Sequence, residues 1–187
     1  MKDLKTLRRP ELRGESLLLR TVRLADRDAA VRSCNDPDTV RFLELLPHPY
    51  HDSDFDDWLR ATRRAWRRRE EIVWSIADPA TGGWLGSVSL TFAPDRQAAE
   101  VGYHVAPWAR RRGVAAAATR LLRDWSFDDL GLERLEVIAD AENAASRRVA
   151  ERLGFTLEGT MRAWTRGRDG ARCDHVLYGL LRDDERL

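Results

Sequence analysis

The 187-residue chain holds only two cysteines, Cys34 and Cys173, far apart and without a CxxC spacing, so neither a disulfide framework nor a zinc-ribbon pattern is written into it. No apolar run approaches the roughly 20 residues that a membrane span requires, and no apolar segment of signal-peptide type follows the N-terminus. The expectation is a reduced, cytoplasmic protein with no membrane partner. Excess charge is missing too: 32 basic residues face 31 acidic ones, for a formal net charge of +1. The stretches "WRRRE" and "ARRRG" therefore lie in a balanced chain without an aromatic RNA-binding motif, and no nucleic-acid partner is expected. Lysine is almost absent, with Lys2 and Lys5 the only two, so nearly all positive charge is arginine. Repeats, low-complexity tracts and long linkers are lacking, which leaves a single domain over 1–187 with its core at about 16–181. What is present is ample core material. The chain is 43% hydrophobic and carries seven tryptophans, and a domain of this length buries roughly 70% of the surface of its unfolded form.

The pattern along the chain alternates strands and helices. A short strand from Ser16 to Val22 precedes a helix with Asp26 as a candidate N-cap, and "NDPD" introduces another. After the loop "LPHPYH" comes an acidic-start, basic-end helix whose Phe55, Trp58, Leu59, Thr62 and Trp66 share one face. "IVWSIAD", the turn "PATGG" and "WLGSVSLTF" predict a hairpin. "PDRQ" turns the chain again into "AAEVGYHVA", which places Glu100, Gly102, His104 and Ala106 on one face of a strand. A glutamate and a histidine facing one way, with glycine between them, suggest a cleft wall that a ligand can approach. A helix from about Gly113 to Asp128, a strand from Glu133 to Asp140 and a helix ended by Gly154 form a βαβ-like unit. Two strands around "RDG" close an α/β protein with a mixed sheet.

The stretch "RRRGVAAAATRLL" contains a contradiction. Apolar residues at helical spacing start a helix near Gly113, yet three arginines crowd its N-terminus, where the macrodipole is already positive. A ligand anion would resolve this: strand, arginine-rich turn, glycine and helix N-terminus make a phosphate-binding arrangement. Gly113 lets backbone approach phosphate, the small Val114, Ala115 and Ala116 keep the first turn slim, and guanidinium forks suit phosphate oxygens. A solvated basic turn is the alternative. His48 and His51 offer two metal ligands in a loop without a third, so no metal is expected. Cys173 has no base beside it except His175, two residues on.

The chain, most densely from Ala99 to Gly159 and over about Ser16 to Leu181 in all, resembles the GNAT superfamily of acyl-CoA-dependent N-acyltransferases, and within it the RimJ/RimL-type branch that acetylates protein N-termini. The markers are a strand ending in "VAP", Arg110-x-x-Gly113-x-Ala115, "LGLERL", Asn143-x-x-Ser146, "LGF..EG" and a closing "D...Y.LL". The resemblance implies a mixed, largely antiparallel central sheet flanked by helices, with acyl-CoA bound where two central strands splay apart. It puts the CoA diphosphate on the backbone of Arg110, Arg111, Arg112, Gly113, Val114 and Ala115, and the pantetheine arm along His104, Val105 and Ala106. Asn143 corresponds to the family asparagine that bonds this arm, with a plain N-cap as the alternative. The acceptor would be a primary amine, either a protein N-terminus or a small molecule. "HPYH" and the tryptophan-bearing helix would line its pocket, and relatives of this kind often form dimers.

Acyl transfer to an amine needs a neutral amine, a polarised thioester carbonyl and a proton for the leaving thiolate. The resemblance points to Glu100 as the base, its pKa raised by apolar walls; an ion pair with an arginine is the structural alternative. The tyrosine that many relatives use as proton donor is replaced by Ala150, and Ser146 takes the role in the "N..S" form, unless its hydroxyl bonds only the helix backbone. The acidic residue that the branch carries on the strand after "LEG" is Thr165 here. These two departures leave an alternative, a catalytically silent module that binds acyl-CoA. Acetyl is the default acyl group, with succinyl as the variant to test.

Overall fold

A computed structural model describes residues 9–95 and 97–187; Lys2 and Lys5, and Arg96 of the "PDRQ" turn, lie outside the described residues. In chain order the elements are β1 (Leu12–Arg13), β2 (Leu18–Thr21), α1 (Arg27–Cys34), α2 (Pro37–Phe42), α3 (Asp52–Arg68), β3 (Glu71–Ala77), β4 (Trp84–Phe92), β5 (Ala98–Val105), α4 (Val114–Asp124), β6 (Arg134–Asp140), α5 (Ala144–Arg152), β7 (Thr156–Arg166) and β8 (Arg172–Leu181). The eight strands form one sheet in the order β1-β2-β3-β4-β5-β6-β8-β7, in which β5 and β6 are the parallel pair and the other neighbours run antiparallel.

Alternation assigns the faces. Ser75 and His104 reach residues before and within α1, Asp26 and Ser33, while Trp74 and Tyr103 point to the opposite side. There Trp74 stacks edge-on with Trp125, in the π-helical turn that extends α4 to Leu130, and Tyr103 meets α5. α1 and α3 thus cover one face and α4 and α5 the other. Burial of both faces explains why β3 reads as a nearly continuous apolar run.

Capping follows the sequence closely at α2, where Asp36 accepts from the Thr39 N–H at 3.0 Å, and at α5, which stops before Gly154 at φ 87°. Asp26 departs from expectation. Its carboxylate does not cap α1; it takes two bonds from Arg20 (2.7 and 2.9 Å), one from Ser75 (2.7 Å) and one from the Arg23 N–H (2.9 Å). Burial pushes its pKa up, and these donors more than offset that, leaving it below the usual range.

The feature that positions the site is a mismatch of pairing lengths. β5 stays paired with β4 from Ala99 to Val105, but with β6 only from Ala98 to Glu100. Beyond Glu100 the two parallel strands part, and the β6-side edge of β5 has no strand partner.

Candidate active site

A cavity of about 600 Å³ opens where β5 and β6 part, walled by the end of β5, the N-terminal turns of α4 and α5, and α2. The turn before α4 shapes one wall. Arg111 (φ 60°) and Gly113 (φ 74°) both adopt the left-handed region, which swings the chain so that the first N–H groups of α4 face the cavity. No side chain caps this helix, and a Cβ at Gly113 would meet nothing within 4 Å. The N–H groups of Val114, Ala115 and Ala116 therefore have no intrahelical acceptor, and these three residues line the cavity. An uncapped helix end of this kind is chemically suited to an anion.

Arg110 answers part of the charge puzzle within the chain. Its guanidinium bonds Asp36 at 2.6 Å, Thr39 Oγ1 at 2.7 Å and Asp38 at 3.2 Å, which ties the turn to the N-terminus of α2. Burial raises the pKa of Asp36, but the Arg110 bond and charge together with the bonds from Thr39 more than offset it and hold the carboxyl low. The sequence expectation that this side chain meets phosphate gives way to a bracing role. Arg111 lines the cavity; Arg112 does not, its charge lying toward Asp78.

On β5, His104 and Val105 line the cavity, whereas Ala106 is fully buried, donates its N–H to the Leu85 carbonyl and accepts from the Ala109 N–H. Ala106 thus has no free backbone group to offer a ligand, because the chain turns inward there to begin the Pro107–Ala109 turn. The His104 ring lies 3.0 Å from Ser33 Oγ and packs against Trp84. Burial, then the nearby Arg110 charge, lower its pKa to about 4, so the ring is neutral at physiological pH. Gly102 does not open a ligand path on that face, since Ser89 Oγ fills the space where its Cβ would stand.

Glu100 shares the face of His104 but not the cavity wall. It sits roughly 13 Å along the strand, at the vertex where β5 and β6 part, opposite Glu136 in register. Burial, then the Glu136 charge, raise its pKa. Among the described residues no arginine pairs with it, so the ion-pair alternative is not realised.

Asn143 caps α5 through Oδ1, accepting from the Ser146 N–H at 3.0 Å, and also lines the cavity, so the N-cap role and the facing of a ligand are compatible. The Ser146 hydroxyl is 2.8 Å from the Tyr103 hydroxyl, which also donates to the Ser146 carbonyl at 3.1 Å. Tyr103 is the functional candidate that sequence reasoning missed. Strand alternation placed it on the apolar face, and only the approach of α5 brings its phenol to Ser146. Burial raises its pKa to about 12, which keeps it protonated. Ala150 is fully buried and does not face the cavity.

Other expectations resolve as follows. Trp58 and Trp66 pack partly buried against the core, and Phe42 and Leu43 line the cavity. His51 precedes α3 as its N-cap. Cys173 has acidic neighbours. Its thiol lies with carboxylates of Glu44 and Asp140, the three ligand atoms within 4.8 Å of one another, and burial followed by the Asp140 charge pushes its pKa up. Arg168, in the β7–β8 turn, donates to the carbonyls of Val40 (3.2 Å), Leu43 (3.1 Å) and Leu46, closing the hairpin tip over the segment after α2.

Residues 16–156 match the family model described as an acetyltransferase (GNAT) domain. The chain is 25% identical over 178 residues to the uncharacterised N-acetyltransferase YoaA of Bacillus subtilis, covering 94% of this chain and 99% of that one. Among solved structures it resembles the ribosomal-protein-S5-alanine acetyltransferase of Vibrio fischeri, with a TM-score of 0.81 at 20% identity over 94% of this chain and 98% of that one. It also resembles the microcin C7 self-immunity acetyltransferase MccE, solved with acetyl-CoA and AMP, with a TM-score of 0.81 at 18% identity over 90% and 93%. At such identities the two structures speak for the fold. That fold is the mixed, mostly antiparallel sheet flanked by helices which the sequence markers implied.

Proposed function

The chain belongs to the GNAT acetyltransferase family, and on that premise we propose that it moves an acetyl group from acetyl-CoA to a primary amine by direct attack in a ternary complex. The observation that carries this reading is the uncapped N-terminus of α4, open to a cavity beside the unpaired edge of β5. Acetyl-CoA supplies the activated acyl thioester; the chain supplies orientation and proton management.

The N–H groups of Val114, Ala115 and Ala116, with Gly113 and the cavity-facing Arg111, bind the diphosphate. The free edge of β5 at His104 and Val105 aligns the pantetheine amides, and Asn143 presents its amide from across the gap. Glu100, uncharged more readily than an exposed glutamate, takes the proton of the incoming ammonium through water from the vertex of the two strands. The neutral amine attacks the thioester carbonyl; as the C–S bond breaks, Ser146 gives its hydroxyl proton to the departing sulfur, the nitrogen sheds its second proton to water, and water restores the serine proton through the Tyr103 hydroxyl. In this way a serine with a phenol behind it stands in for the tyrosine missing at position 150.

On the acceptor side the neighbouring carboxylates of Glu44 and Asp140 attract a cationic amine of either a protein N-terminus or a small molecule. Arg168 limits the width of that entrance. Exposed Leu157 and Trp164 on β7, the edge strand, support association of two copies. Free thiols at Cys34 and Cys173 fit a reducing, cytoplasmic setting. Nothing in the proposed steps calls on a metal.

Calorimetric titration with acetyl-CoA, CoA and succinyl-CoA, followed by measurement of free-thiol release with a panel of amines, tests the proposal. Micromolar binding with amine-dependent release is the expected result. Binding without release above hydrolysis would instead describe a silent acyl-CoA module, and no binding would remove the assignment.

A further inference from the structure

The charged side chains of α5 divide by face. Arg147 and Glu151 turn inward and share one partner, Tyr178, whose hydroxyl accepts from Arg147 (3.3 Å) and donates to Glu151 (2.7 Å). Arg148 and Arg152 turn the other way and line the cavity, and among the described residues neither forms an ion pair. Their i, i+4 spacing puts two like charges on one stripe of the helix, an arrangement that costs a few tenths of a kcal/mol, roughly, unless an anion lies between them. Arg111 faces the same cavity from the turn before α4.

Position along α5 adds the second half of the case. Asn143 and Ser146 occupy its N-terminal turn, and Arg152 lies about 9 Å further along the axis, near the negative end of the helix dipole. An anion at that end gains nothing from backbone N–H groups, so any anion there must be held by side chains. The diphosphate already has its own cradle at α4.

We infer that Arg148 and Arg152 form a subsite, separate from the diphosphate cradle to which Arg111 belongs, for a phosphate monoester, the ribose 3′-phosphate of CoA; this rests on the acyl-CoA reading above. A phosphate monoester carries nearly two negative charges at neutral pH and three acceptor oxygens, which suits two guanidinium groups.

The test compares acetyl-CoA with acetyl-dephospho-CoA, which lacks only that phosphate. The wild-type protein binds acetyl-CoA at least about tenfold more tightly, the effect of one to two charge-assisted bonds. In the double variant Arg148→Gln/Arg152→Gln the two ligands bind alike, while affinity for acetyl-dephospho-CoA and kcat at saturation stay at wild-type values. Both arginines are exposed, so the variant keeps its core. The wild-type preference also shrinks as salt rises, and the variant shows no such dependence. Equal binding of both ligands by the wild type, or a preference that survives in the double variant, overturns the inference while leaving the acyl-CoA reading intact. Failure of the wild type to bind either ligand brings down that reading, and this inference with it.

Discussion

Two helix N-termini meet at Arg110 and are finished in opposite ways. At α2, Asp36 caps the helix, its carboxylate both accepting from the Thr39 N–H and pairing with the Arg110 guanidinium. At α4, a glycine in the left-handed region stands where a cap would be, no side chain accepts from the helix, and the first N–H groups face a cavity. A helix end left without its acceptor beside a cavity is chemically suited to an anionic ligand. Arg110 links the two: the charge that looks misplaced at α4 is neutralised by α2, so the turn is braced while the N–H groups stay free.

This contrast can be broken from either side. The largest effect is expected from finishing the open end with a charge of the wrong sign: Gly113→Glu should weaken acetyl-CoA binding by about 100-fold or more in calorimetry, because it combines a carboxylate at the anion site with about 1 kcal/mol of backbone strain. Unchanged affinity would mean that the diphosphate sits elsewhere. Next, Ser146→Ala should lower kcat on the order of 100-fold with little change in the KM for acetyl-CoA, and Tyr103→Phe should lower it about tenfold. A purely structural Tyr103 would instead alter melting temperature and leave kcat alone.

A third prediction concerns pH. Burial pulls the His104 pKa from its ordinary value of 6.5 to about 4 in the folded state, so the native protein binds fewer protons than the unfolded chain between those values. Stability should therefore fall as pH drops from about 6.5 toward 4, and His104→Gln should flatten that part of the profile in thermal melts. The smallest effect comes from stripping the closed end. Asp36→Ala removes a cap and should cost about 1 kcal/mol of stability. It should leave Gly113 and the α4 amides in place, so acetyl-CoA affinity should change far less than in Gly113→Glu; an equal loss would show that the brace and the binding site are one unit.

Much of this was legible in the sequence because it depends on short-range rules. Alternation set the faces of β4 and β5, amphipathic spacing set α3 and α4, and Asp36, Asn143 and Gly154 marked helix ends through local hydrogen bonding and backbone freedom. The helix start at Gly113 was legible for the same reason. Three features were not. Asp26 looked like a cap, but Arg20 and Ser75 from other strands claim it. Arg110 looked like a phosphate ligand, but Asp36, more than 70 residues earlier, reaches it first. Tyr103 looked like core, but α5 brings Ser146 to its hydroxyl.

By itself, then, the sequence determined the order of elements, the open helix end and the residues that finish the others, since each follows from neighbours within a few positions. Tertiary structure decided where β5 leaves β6, which arginines are spent on carboxylates and which face the cavity, and that a phenol stands behind Ser146. Those outcomes depend on which distant partner arrives within hydrogen-bond distance, and competition among 30 arginines for nearby carboxylates is settled only when the chain has closed on itself.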